Sequence, residues 1–218
     1  MVKQDRAART RQSLIHAAAE VFAQGGFAPA SLATISRRAG VSNGALHFHF
    51  ETKKALAQAV EDQAAETLRR ITEGRESGGD GALQVLVDTT HALMGTLADD
   101  IVTRAGFELG GDPARGEESR LRREWQRWIE DMLRRAEAEG GLAEGISADN
   151  ASSAIVAVTV GFEVLGSEDK GWLSEETVAG FWDLMLPRLA SRREPVPVSS
   201  SSADGHRGAV MPMTRSAD

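Results

Sequence analysis

The feature that most constrains this chain is the stretch from Ser31 to Phe50, SLATISRRAGVSNGALHFHF. Ser31 is a good N-cap, and Leu32, Ile35 and Ala39 recur along one face of a short helix. Gly40 stands where a helix needs a left-handed terminating residue, and Val41 is the apolar residue that closes such a cap. Ser42 then caps a second short helix through Asn43, Gly44, Ala45, Leu46 and His47. Two short helices joined by Ala39-Gly40-Val41-Ser42 have the length and turn chemistry of a helix-turn-helix. Such a unit lays its second helix in the major groove of DNA. Phe48-His49-Phe50 closes the stretch as an aromatic clamp.

Charge supports that reading once its distribution is considered. The net charge of -7 looks wrong for a partner of phosphate. Residues 1–54, however, carry eight basic residues against three acidic ones, a surplus of five, which leaves -12 on the remainder. A basic head on an acidic body is expected when only one end meets nucleic acid.

Before this stretch, residues 4–25 read as an amphipathic helix through Leu14, Ile15, Ala18, Val21 and Phe22, stopped by Gly25-Gly26. Lys3, Arg6, Arg9 and Arg11 in its first turns form a basic arm suited to backbone phosphates or a minor groove. After it, a long helix is predicted from Thr52 to Thr72, long enough to leave the head and enter the body, with a glycine-rich loop from Glu73 to Gly81. Helical stretches follow at Ala82–Leu97, Ile101–Leu109, Ser119–Glu139, Ala148–Leu165 and Glu175–Leu189. No strand pattern rises above noise, so the fold class is all-α: a helix-turn-helix head over 1–51 and a helical bundle over 52–190. From about Ser191 the Pro- and Ser-rich composition predicts a disordered tail to Asp218.

There is no cysteine, hence no disulfide framework, thiolate nucleophile or thiolate metal site. The charged N-terminus does not read as a signal peptide, and no segment is expected to span a bilayer. The chain is therefore expected to be soluble and cytoplasmic. His47-x-His49 lacks an accompanying carboxylate cluster, so no metal site is expected there. No nucleophile elbow, P-loop or dinucleotide glycine pattern occurs, so no enzyme and no cofactor is expected.

Within the head, the Ser31 and Ser42 hydroxyls and the helix amides around Gly44 suit phosphate oxygens. Asn43, Leu46 and His47 are expected to meet base edges. Arg9, Arg37, Arg38, His49 and Lys53 are expected to touch the DNA backbone. In the body, aromatics at helical spacing usually belong to the core, yet a pocket between helices would use the same residues. Trp125 is expected to wall such a pocket, with Leu86, Phe107, Trp128, Val156 and Phe162 around it and Thr159, Thr90 and Gln63 as polar partners.

The basic first helix, the Ser31–Phe50 stretch and the following Lys53 resemble the TetR family of bacterial transcriptional regulators over roughly residues 5–190. MVKQDRAARTR, GALHFHF and Trp125 in Arg123-Glu124-Trp125 are most similar to its γ-butyrolactone-receptor-like members from antibiotic-producing actinomycetes, which include hormone receptors and pseudo-receptors. The resemblance implies a repressor released from operator DNA by a small signalling molecule, with Trp125 stacking on that ligand. It also implies a homodimer through the last two helices. This chain has His47 where the family usually has tyrosine, and Ser42-Asn43 where close relatives often have Thr-Lys; a changed operator would follow. The alternative is a small-molecule-binding or interaction module of the same fold without specific operator readout.

Overall fold

The computed structural model describes residues 2–76, 80–112 and 119–191. Helix α1 (Val2–Gly25) buries Leu14, Ile15, Ala18 and Phe22 along one side. Helices α2 (Leu32–Arg38) and α3 (Asn43–His49) pack against it. Ser31 Oγ accepts the Thr34 N–H and Ser42 Oγ the Ala45 N–H, so both predicted N-caps form. Between the two helices Gly40 has φ +67°. The Val41 N–H bonds to Ser36 O and the Gly40 N–H to Arg37 O. This is the Schellman pattern, and it fixes the angle at which α3 leaves α2.

The core of the head does not stop at residue 51. Leu14, Ile35, Leu46 and Phe50 share one apolar cluster with Leu56 and Val60 of α4 (Lys53–Glu76). Val102, Ala105 and Leu109 of α6 (Ile101–Gly111) complete it. One long and two short helices bury too little apolar surface alone, so they share a core with two helices of the body. Gly106 lets α6 approach α4 closely: a Cβ there would collide with the Ala64 Cβ.

The body adds α5 (Ala82–Asp99), α7 (Arg120–Ala138), α8 (Ala148–Gly166), a 3₁₀ turn (Lys170–Leu173) and α9 (Glu175–Leu189). Leu86, Leu93, Phe107, Trp125, Ile155 and Trp182 belong to its core. Among the described residues there is no strand, only one isolated bridge between Leu142 and Ala190. The all-α expectation stands.

Three expectations need correction. Helix α4 runs to Glu76 rather than Thr72, carrying the exposed Glu73, Gly74 and Arg75 in its last turn. Helix α8 is, by length and composition, apolar enough to cross a bilayer. Here, however, it packs on α7 and carries Glu163, which Arg122 grips with two hydrogen bonds of 2.7 and 3.0 Å. The 3₁₀ turn before α9 was not predicted. Residues 77–79 of the predicted glycine-rich loop, and residues 192–218 of the predicted tail, lie outside the described residues.

Candidate functional site

On α3, residues one turn apart decide what faces inward. Leu46 is 0% exposed and Phe50, four residues on, is also buried. That register turns Asn43, Gly44, His47 and Phe48 outward and leaves His49 half-buried. The expectation that Leu46 meets base edges is therefore wrong: its side chain holds the recognition helix to the core. Phe48 takes the outer position instead, 81% exposed with its ring edge-on to His49. It was missed, although the Leu46/Phe50 spacing could have revealed it. An exposed ring at this position would suit contact with a thymine methyl if the helix lay in a major groove.

Asn43 is tethered from behind. The buried Ser36 hydroxyl shares its proton between Ala33 O (3.1 Å) and Asn43 Oδ1 (2.5 Å). The Asn43 amide NH₂ thus points its donors away from α2. Arg9, Ser31, Arg37 and Ser42 are exposed, while Arg38 is held by Glu20 at 2.8 Å.

Lys53 does not behave as a phosphate contact. Its ammonium donates to the carbonyls of Phe27 (2.8 Å), Ala28 (2.9 Å) and Ala30 (2.9 Å). It also lies 4.4 Å from the centre of the Phe27 ring. An ammonium has three donors, and all three are committed. Lys53 is a clasp that fixes the α1–α2 linker to the start of α4.

The body residues separate into two groups. Trp125 is 2% exposed, donates its indole N–H to Thr159 Oγ1 at 2.9 Å, and stacks on Trp128 with centroids 5.1 Å apart. Phe107, Phe162 and Leu86 lie in the same core, and Val156 packs against it. Thr90 is buried with its hydroxyl bonded to Leu86 O. Gln63 stands apart. Its Oε1 accepts from Gln12 Nε2 of α1 at 3.0 Å, which makes it a strut between head and body rather than a partner of the Trp125 group.

A second strut crosses the same joint: the Phe27 N–H donates to Asp112 Oδ2 at 2.8 Å. Within the body, Arg120 of α7 reaches Asp62 of α4 at 3.1 Å. A cavity of about 280 Å³ lies at the head–body joint, lined by Phe22, Phe27, Glu108 and Asp112 among others. Burial pushes the Glu108 carboxyl up to about 7; Arg104 opposes the shift and Glu163 adds to it. Nothing in the spacing of residues foretold these struts, which join positions far apart in the chain.

Fold and site together define a DNA-reading regulator of the helix-turn-helix class: an outward-facing second helix anchored to a core that the helical body shares. Residues 14–60 match the bacterial regulatory proteins, tetR family. The chain is 33% identical over 200 residues to the A-factor receptor protein of Streptomyces griseus, covering 87% of this chain and 67% of that one. It therefore belongs to the TetR family. A crystal structure of a gamma-butyrolactone receptor (ArpA-like protein) superposes with a TM-score of 0.72 at 28% identity, covering 85% of this chain and 90% of that one. CprB of Streptomyces coelicolor, solved in complex with its biological operator sequence, gives 0.71 at 28% identity, over 84% and 90% of the two chains.

Proposed function

We propose that this chain is a dimeric repressor that leaves its operator when a small signalling molecule of the γ-butyrolactone or antibiotic type fills the body, in control of secondary metabolism. The observation that carries this reading is the division of α3. Its inner face, Leu46, is locked into a core that also contains α4 and α6, so any shift of those helices must move Asn43, His47 and Phe48.

A body-bound ligand can act this way only by binding the DNA-incompetent arrangement better. Helix α6 is placed to report it: Phe107 faces the body core while Val102, Ala105 and Leu109 face the head core. The dimer reading is supported by an apolar face that the single chain leaves open. Ala154, Ala157, Val164 and Leu165 of α8 are exposed, and Leu184 of α9 is 77% exposed. A two-fold pair through these helices would set two recognition helices about 34 Å apart, one turn of B-DNA.

Electrophoretic mobility shift on DNA from upstream of the chain's own coding region tests the readout. The wild type is expected to give a sequence-specific complex that Asn43→Ala with His47→Ala abolishes. Undiminished specific binding by that double variant would refute it.

A further inference from the structure

Ser36 of α2 is 4% exposed, next to the fully buried Ile35. A hydroxyl in such a place must find its partners within the protein. Its residue also closes the turn, because the Ser36 carbonyl accepts the Val41 N–H at 3.0 Å. Backbone and side chain of one residue therefore hold the start of α3, whose first residue is the exposed Asn43.

The hydroxyl has one proton and two acceptors in reach, Asn43 Oδ1 at 2.5 Å and Ala33 O at 3.1 Å. A separation of 2.5 Å belongs to O–H···O and falls below the usual N–H···O range, so the amide turns its oxygen, not its nitrogen, to Ser36. In a planar amide the N–H trans to the oxygen runs antiparallel to the C=O. With the C=O aimed back at α2, that N–H is aimed outward. The other neighbouring hydroxyl, Ser42, is occupied as the cap of α3.

We propose that Ser36 is a positioning residue for sequence readout: it locks the Asn43 amide with its donors toward DNA, so that Asn43 selects guanine over adenine. This rests on the operator-binding reading above and specifies what that site recognises. An unconstrained asparagine pairs with adenine through both ends of its amide, accepting from N6–H and donating to N7. With the oxygen held inward, the donating end is the one that reaches the groove. Guanine offers it two adjacent acceptors, N7 and O6. Adenine sets its N6 donor beside N7, facing the N–H groups of the amide, and cytosine offers a donor alone.

The test selects binding sites from a randomised duplex library with the full chain, as wild type, Asn43→Ala, Ser36→Ala and Ser36→Thr. Affinities are then measured on duplexes that differ at single positions. The position whose preference Asn43→Ala erases is the one Asn43 reads. There the wild type is expected to favour guanine over adenine about ten-fold, within the range of one specific base contact. Ser36→Ala frees the amide and is expected to reduce that ratio to about three-fold or less, with preferences at other positions unchanged. Ser36→Thr keeps the hydroxyl and is expected to keep guanine. A base other than guanine at that position in the wild-type selection overturns the inference. So does a Ser36→Ala profile that matches the wild type or is weakened equally at every position, since Ser36 then supports the fold alone. An Asn43→Ala profile with every preference intact overturns it as well, because Asn43 then reads no base. In each of these cases a specific operator is still selected and the repressor reading survives. A wild type that enriches no sequence at all overturns that reading, and the inference with it, so the two failures are told apart.

Discussion

Replacing Lys53 separates two roles that the residue could have. In the structure its ammonium holds three linker carbonyls at 2.8–2.9 Å and sits over the Phe27 ring. A hydrogen bond to a charged group contributes about 1.5–3 kcal/mol net. The three bonds share one ammonium, and the freed carbonyls can be rehydrated, so they are far from additive. Lys53→Met is therefore expected to cost about 3 kcal/mol. For a chain of this size that corresponds to a fall in Tm of roughly 6–12 °C. Lys53→Arg should recover little, because a planar guanidinium cannot fill a three-carbonyl cup. Arg37→Ala is the contrasting control: exposed at the end of α2, it should leave Tm unchanged and flatten the salt dependence of operator binding by about one phosphate contact. Differential scanning calorimetry and operator titrations across salt give both readings. Should Lys53→Met keep the wild-type Tm and merely flatten the salt dependence, Lys53 is a phosphate contact and the clasp is wrong.

Other expectations follow from the same geometry. Leu46→Ala should destabilise the head by about 2–5 kcal/mol by denaturant titration, the usual cost of a buried leucine; a change confined to base preference would contradict its inward orientation. Glu108 sets a pH dependence. Its folded pKa of about 7 lies above the ordinary 4.5, so the folded state binds the extra proton between those values, and stability falls as pH rises through that window. Glu108→Gln should flatten the Tm profile across pH 5 to about 7.5, and an unchanged profile would refute the assignment. Leu184→Asp should convert a dimer to a monomer in sedimentation velocity; a persisting dimer would move the interface away from α9.

How much of this was legible from the sequence depended on the range of the interaction. Caps and the turn are local: Ser31, Gly40 and Ser42 lie within a few residues of the groups they bond, and all three behave as their sequence positions predict. The Trp125–Thr159 contact was partly readable, because each stood out on its own helix, although their bonding to each other was not. Lys53 misled because a lysine following a recognition helix looks like a phosphate contact until the three carbonyls of a distant linker are seen around it. Leu46 misled for a different reason: membership of the recognition helix was allowed to outweigh the period of its apolar residues. Asp112 and Glu108 were invisible, since each is defined by neighbours from other helices.

The central claim is that one molecule in the body controls the head. Fluorescence anisotropy of labelled operator DNA, titrated with the full chain in the absence and presence of saturating effector, tests it most directly. A ligand that favours the DNA-incompetent arrangement by about 2.7 kcal/mol weakens operator binding roughly 100-fold, so displacement of the operator is the predicted result. An operator affinity unchanged when the body is demonstrably occupied would contradict it.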